Sequence, residues 1–219
     1  MYVDGHIQGE FGERVKMSAM ETIQFSATSV IDDVSKCLTM EPKVSGDLVY
    51  ILGSTANELG ASEYYELFEK TGINVPHVDF DKFKDMYKIL EQAIINELVA
   101  SCHAVARGGL GVHLSCMTMA GGLGIEINLS DIPVDTNRGN LFDEILLYSE
   151  SAGRFIVTIA PENKIKFETL IKDMPAACIG MVTDTHDHLK IAGYYKDALI
   201  DLSIENMEKA FNKTFGEMI

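Results

Sequence analysis

The stretch from Arg154 to Ala192 reads strand, helix, strand, strand, and that order restricts the fold more than any other part of the chain. Phe155, Val157 and Ile159 alternate with their neighbours at strand spacing. Pro161 sits where a first helical turn tolerates it, and Phe167, Leu170 and Ile171 give the following helix its apolar stripe. Ala177 to Val182 and His188 to Ala192 then return to strand patterning. A β-α-β-β run must lay its helix on a sheet, which predicts an α+β layered sheet. With 47% hydrophobic residues, the 219-residue chain can fill a core for one large domain or one and a half smaller ones.

The rest of the chain extends this pattern. Ser45-Gly46 sets up a strand at Leu48 to Leu52. Glu63 to Lys70 reads as a short helix with Tyr64, Leu67 and Phe68 on one face and Gly72 as its stop. Phe83, Met86, Tyr87, Leu90, Ile94 and Leu98 recur at helical spacing behind a cap at Asp79 or Asp81. Cys102 to Val105 is a short buried strand, and Arg107-Gly108-Gly109 turns it into a helix carrying Leu110, Leu114 and Met117. Gly121, Gly122 and Gly124 end that helix before a strand at Ile125 to Leu129. Asn140 is placed to cap a helix through Leu147, and Ser203 to cap a last one carrying Ile204, Met207 and Phe211. Residues 1–16, punctuated by Gly5, Gly9 and Gly12, read as a loop or frayed end. Glu21 to Ser29 alternates as a half-buried strand, whose open edge invites dimerisation.

With 33 acidic against 18 basic residues, the net charge of -15 repels nucleic acid and anionic lipid. No apolar run approaches a membrane span, and Met1 to Arg14 has no apolar h-region of a signal peptide. Cys37, Cys102, Cys116 and Cys178 form no C-x-x-C pair. They imply buried thiols and a reducing, cytoplasmic compartment.

Three stretches carry possible chemistry. Gly60-Ala61-Ser62 opens a helix after a strand, where free amides can cradle phosphate; the alternative is an ordinary turn with a Ser cap. In His103 to Gly109 a strand runs through a glycine pair into a helix, and Arg107 could pair with a phosphate or carboxylate. The alternative is that Gly108 and Gly109 only permit close packing and that His103 is a satisfied core histidine. Ser149-Glu150-Ser151-Ala152-Gly153-Arg154 sets hydroxyls, a carboxylate and a guanidinium between a helix and a strand, either to bind a polar ligand or to close on itself. Asp184-Thr185-His186-Asp187-His188 has the donors for a divalent metal, but polar residues are expected in a loop between strands, and no metal site is assigned there.

These stretches resemble a known family. Asn57-Glu58-Leu59-Gly60-Ala61-Ser62-Glu63-Tyr64 is similar to the E-L-G-G-S-E-Y run of phosphoribosylformylglycinamidine synthases. Gly46 to Gly53 is similar to the strand that opens their last subdomain. Gly108-Gly109-Leu110 matches the end of their His-Asp-x-Ser-(Asp/Glu)-Gly-Gly-Leu motif, and Tyr148 to Phe155 matches their F-S-E-S-x-x-R-F. Lys16-Met17-Ser18, Glu21-Thr22-Ile23 and Ile31 to Val34 resemble the exit of the preceding N-terminal-type subdomain. The joint order is specific and runs from about Lys16 to the end.

The resemblance implies the aminoimidazole-ribonucleotide-synthetase-like C-terminal domain, an α+β layered sheet with partial ferredoxin-like topology. It divides the chain into residues 1–36, the end of a preceding subdomain, and 37–219, the C-terminal-type domain. It implies an ATP-dependent ligase of purine biosynthesis that joins formylglycinamide ribonucleotide with ammonia from glutamine. The resemblance further implies that this piece holds no catalytic residue and is inactive alone. The implied partners are the remaining synthetase subdomains, a glutaminase and, in the small form, a small accessory subunit; a chain end at Ile219 without a glutaminase domain fits either that form or a truncation. The resemblance implies that the whole enzyme uses ATP, ADP and magnesium. The family's auxiliary nucleotide site takes its metal ligands from the Asp and Ser of the motif, whereas here those positions are Ala104 and Ala106, followed by Arg107. That implies a weakened, metal-free or lost site. Other readings are a non-catalytic structural or dimerisation module, or another ATP-using member of the superfamily, such as a hydrogenase-maturation protein or a selenophosphate synthetase.

Overall fold

The strand Arg154–Ile159 is buried at all six positions, so both of its faces must be covered. The computed structural model describes residues 4–9, 11–18, 24–138, 142–194 and 197–216, and it supplies those two covers. The chain forms two units, Met1–Val34 and Ser35–Ile219.

In the second unit the strands are β3 (Leu48–Leu52), β4 (Ser101–Val105), β5 (Gly124–Asn128), β6 (Arg154–Ile159), β7 (Ala176–Thr183), β8 (His188–Ala192) and β9 (Ile200–Ser203). They make one sheet in the order β4-β6-β3-β7-β5-β8-β9. Its pairs are antiparallel except β5 with β8. The helices are α1 (Glu63–Glu66), α2 (Phe80–Ile95), α3 (Gly109–Gly121), α4 (Asp143–Tyr148), α5 (Lys164–Ile171) and α6 (Ile204–Gly216).

Strand alternation sorts side chains into two cores. Val49 and Ile51 of β3 and Ile156 of β6 join Leu110, Leu114 and Met117 of α3, Leu146 and Leu147 of α4 and Met207 of α6. Tyr50 and Leu52 of β3, with Phe155, Val157 and Ile159 of β6, face Met86 and Leu90 of α2 and Phe167 and Ile171 of α5. Between them, Ser101 Oγ and Thr158 Oγ1 share a buried hydrogen bond of 2.7 Å across β4 and β6. The result is helix, sheet, helix: the expected α+β layered architecture.

Local signals hold at most boundaries. The Asp79 carboxylate accepts from Lys82 N at 3.2 Å and caps α2, and Ser203 Oγ accepts from Asn206 N at 3.3 Å at the start of α6. Asn140, expected to cap α4, lies outside the described residues.

Four expectations are corrected. The helix expected over residues 63–70 stops at Glu66, because Glu69 adopts φ 54 and the amide of Lys70 bonds Tyr65 O at 2.9 Å; Leu67 is left 81% exposed. β4 is not fully buried: it forms one edge of the sheet, with Ala104 exposed. β9 forms the other edge and was not foreseen. In the first unit, the stretch read as a loop is an antiparallel hairpin of β1 (Asp4–Gln8) and β2 (Arg14–Ser18), turned at Gly12 with φ 82. The strand read at Glu21 to Ser29 is absent where it is described: Gln24 to Ser29 are irregular and exposed, with Phe25 89% exposed. Alternation supplies a pattern but no ladder partner.

Candidate functional site

The three stretches singled out by sequence converge at one end of the sheet. The loop after β3 and the loop before β6 lie against each other: Ala56 N donates to Ser151 Oγ at 3.1 Å and Glu58 N to Ser149 Oγ at 3.2 Å. The serine hydroxyls that could have bound a ligand therefore close these loops on themselves. Glu150 Oε1 accepts two amides, from Glu63 N at 2.9 Å and from Gly108 N at 2.8 Å. One carboxylate oxygen thus ties the starts of α1 and α3 together. Negative charge is favoured at both helix starts. Arg107, on the same turn, forms an ion pair with Glu63.

Arg154 lies beneath this junction, 1% exposed. Its Nε donates to Ser151 O at 3.0 Å, its Nη1 to Thr55 Oγ1 at 2.9 Å and its Nη2 to Ser149 O. Burial pushes the guanidinium down to about 10, while the Glu58 and Glu150 carboxylates push it back up. Arg154 therefore stays charged at neutral pH. Glu58 is itself 3% exposed, and its Oε1 accepts His77 N at 3.0 Å.

Gly60-Ala61-Ser62 does not form the phosphate cradle read from its sequence. Gly60 N donates to Asn74 O at 2.8 Å and Ala61 N to Thr71 O at 2.6 Å. Ser62 caps α1, accepting from Tyr65 N at 3.2 Å. A Cβ at Gly60 would lie 2.7 Å from Asn74 C, so the glycine serves this reverse turn. At the second turn Gly109 has φ 72, and a Cβ there would lie 2.6 Å from Leu147 O. Gly109 thus lets α3 approach the end of α4.

His103 is a partnered histidine. His113 Nε2 accepts Ala106 N at 2.9 Å, so its proton sits on Nδ1, which faces His103 Nε2 at 2.8 Å. Burial lowers both histidines below their ordinary value, and His103 lowers His113 further. His113 was missed by sequence reasoning, as were Thr55 and Glu58. The available signal was position: His113 is one turn into a helix that starts beside β4.

A cleft of about 370 Å³ opens beside this network. Its lining is largely apolar, with Val78, Phe83, Tyr87 and Phe155 beside the small side chains of Ala104, Ala106 and Ala152. Arg107, Glu150 and Arg154 line its polar part. A more open depression of about 570 Å³, by Asn96, Leu98, Lys166, Thr169 and Leu170, involves none of the stretches above. The His186–His188 segment gathers no metal donor set, since no group of three or more His, Cys, Asp or Glu suited to a metal occurs among the described residues. His186 Nε2 instead meets Glu126 Oε1 at 2.6 Å, and His188 pairs with Asp201.

Comparison with known proteins agrees with this architecture. Residues 44–191 match the family model for the C-terminal domain of AIR synthase related proteins. The chain is 35% identical over 192 residues to a phosphoribosylformylglycinamidine synthase subunit PurL from Methanocaldococcus jannaschii, covering 86% of this chain and 25% of that protein. It is 34% identical over 193 residues to the subunit of that name from Synechocystis, covering 86% of this chain and 24% of that protein. The chain thus spans about a quarter of the length of these relatives. Among solved structures, Thermotoga maritima PurL complexed with FGAR superposes with a TM-score of 0.69 at 16% identity, over 80% of this chain and 30% of that one. The E. coli hydrogenase maturation protein HypE superposes with a TM-score of 0.55 at 20% identity, over 77% of this chain and 52% of that one.

Proposed function

We propose, from the premise that this chain belongs to the AIR synthase related proteins and carries their C-terminal domain, that it is a C-terminal part of a phosphoribosylformylglycinamidine synthase. The observation that carries the reading is 35% identity to a PurL subunit over 192 residues, 86% of this chain. In this reading the whole enzyme uses ATP and magnesium to join formylglycinamide ribonucleotide with ammonia from glutamine, in the cytoplasm. Residues 1–36 end a preceding subdomain, and residues 37–219 form the C-terminal-type domain.

The part alone makes no product. The hydroxyls, amides and guanidinium that could hold a substrate are spent on holding loops together. Its role is to support the remaining synthetase subdomains, which cover the apolar side chains this unit exposes from the end of α1 to the first residue of α2, such as Leu67 at 81%, Ile73 at 92% and Phe80 at 79%. A glutaminase and a small accessory subunit complete the assembly; the Thermotoga maritima PurLQS structure, superposing with a TM-score of 0.66, supports that expectation by fold. The donor set at Ala104, Ala106 and Arg107 does not fit a magnesium nucleotide, so the nucleotide chemistry belongs to the rest of the enzyme.

The test is a chimera. Replacing the matched quarter of the Methanocaldococcus jannaschii protein by this chain should keep ATP-dependent formation of formylglycinamidine ribonucleotide. A chimera that folds and assembles but makes no product would count against the reading.

A further inference from the structure

We infer that the cleft lined by Ala104, Ala106 and Arg107 is uncoupled from divalent metal, because these side chains offer it no oxygen ligand. Magnesium demands near-octahedral oxygen coordination, with one or two protein carboxylates among its ligands. The methyl groups of Ala104 and Ala106 on the cleft wall supply no ligand atom. The carboxylates close to the cleft are engaged. Glu150 Oε1 holds the amides of Glu63 and Gly108, at 2.9 and 2.8 Å. Glu63 pairs with Arg107, and Glu58 Oε1 holds His77 N at 3.0 Å.

The charged residues that line the cleft are Arg107, Glu150 and Arg154. Arg107 is paired with Glu63, and the buried Arg154 charge is balanced by the Glu58 and Glu150 carboxylates. A guanidinium group donates hydrogen bonds and has no lone pair to ligate a cation. The expected effect of Mg²⁺ on nucleotide affinity in this cleft is therefore none. This deepens the reading of the chain as a synthase part, because a nucleotide–metal site is what the family implies at these positions. It stands or falls separately, since the chimera above reports on assembly and turnover, not on metal in this cleft.

The experiment is calorimetric titration of the purified chain with ADP, once with EDTA and once with millimolar Mg²⁺. The inference expects affinities within twofold of each other, or no binding in either. Tightening by tenfold or more with Mg²⁺ would overturn it. The triple change Ala104→Asp, Ala106→Ser and Arg107→Asp restores oxygen ligands and removes one cation, and should gain at least tenfold coupling between Mg²⁺ and ADP. If that variant keeps the thermal unfolding of the parent yet gains no coupling, the assignment of the effect to these positions is wrong. If it does not fold, Ala104→Asp alone is titrated with Mn²⁺, followed by paramagnetic resonance: bound Mn²⁺ in the variant and none in the parent supports the inference, and bound Mn²⁺ in the parent contradicts it.

Discussion

Replacing Arg154 by Met should cost far more stability than replacing Arg107 by Ala, although both guanidinium groups line the same cleft. Arg154 is 1% exposed and donates to Ser151 O, Thr55 Oγ1 and Ser149 O. Met fills much of the volume but leaves those three acceptors without their donor. It also takes the positive charge away from the Glu58 and Glu150 carboxylates. Removing one partner from a buried charged network costs about 3–5 kcal/mol. Arg107 pairs with Glu63 at the surface, its side chain 80% exposed, and such a pair contributes about 0–1 kcal/mol. Equilibrium urea unfolding separates the two. With a slope of about 2–3 kcal/mol per molar, Arg154→Met should lower the midpoint by about 1–2 M, and Arg107→Ala by less than about 0.5 M. Equal midpoints for the two variants, or a loss under about 1 kcal/mol for Arg154→Met, would refute the reasoning that the buried network holds the three loops together.

Three further outcomes follow from the geometry. Because burial depresses His103 and His113, the unfolded chain takes up their protons first as pH falls, so stability drops below about pH 6.5; His103→Gln should flatten that slope in thermal melts between pH 7 and pH 5, and imidazole proton titration should place His103 below the ordinary histidine value. Gly109→Ala forces a side chain onto φ 72 and a Cβ to 2.6 Å from Leu147 O, which should cost about 2 kcal/mol or more in urea unfolding. Asp47 is 3% exposed, its Oδ2 has no hydrogen-bond partner, and burial with the nearby Glu162 raises its carboxyl above the ordinary range; the penalty of the charged form is present above the raised value and fades as pH falls, so Asp47→Asn should raise Tm at pH 7 and lose that gain near pH 4.

The fold was legible where hydrophobic period and burial agree. The alternation of Phe155, Val157 and Ile159 and the helical recurrence of Leu110, Leu114 and Met117 each map onto one wall of a core. It was illegible where pairing decides. The strands Asp4–Gln8 and Arg14–Ser18 carry only Ile7, Val15 and Met17 as apolar residues, yet pair through a tight turn, whereas the patterned Gln24 to Ser29 has no ladder. The three loops of the site were legible as stretches, because Gly, Ser and charged residues cluster between elements there. Their use was not. Sequence cannot tell whether a Ser hydroxyl faces a ligand or the amide of a loop ninety-odd residues away, as Ser151 faces Ala56. Nor could spacing show that a single Glu150 oxygen would hold Glu63 N and Gly108 N together.

The most direct test of the central claim is reconstitution. The synthetase portion of a PurL relative lacking its matched quarter is mixed with this chain, formylglycinamide ribonucleotide, ATP, Mg²⁺ and ammonium, and ADP release and product are followed. The relative's own matched quarter serves as the control that restores activity. The account predicts no turnover by this chain alone and turnover on mixing. Turnover by this chain alone would contradict it, as would failure of this chain to restore activity where the control succeeds.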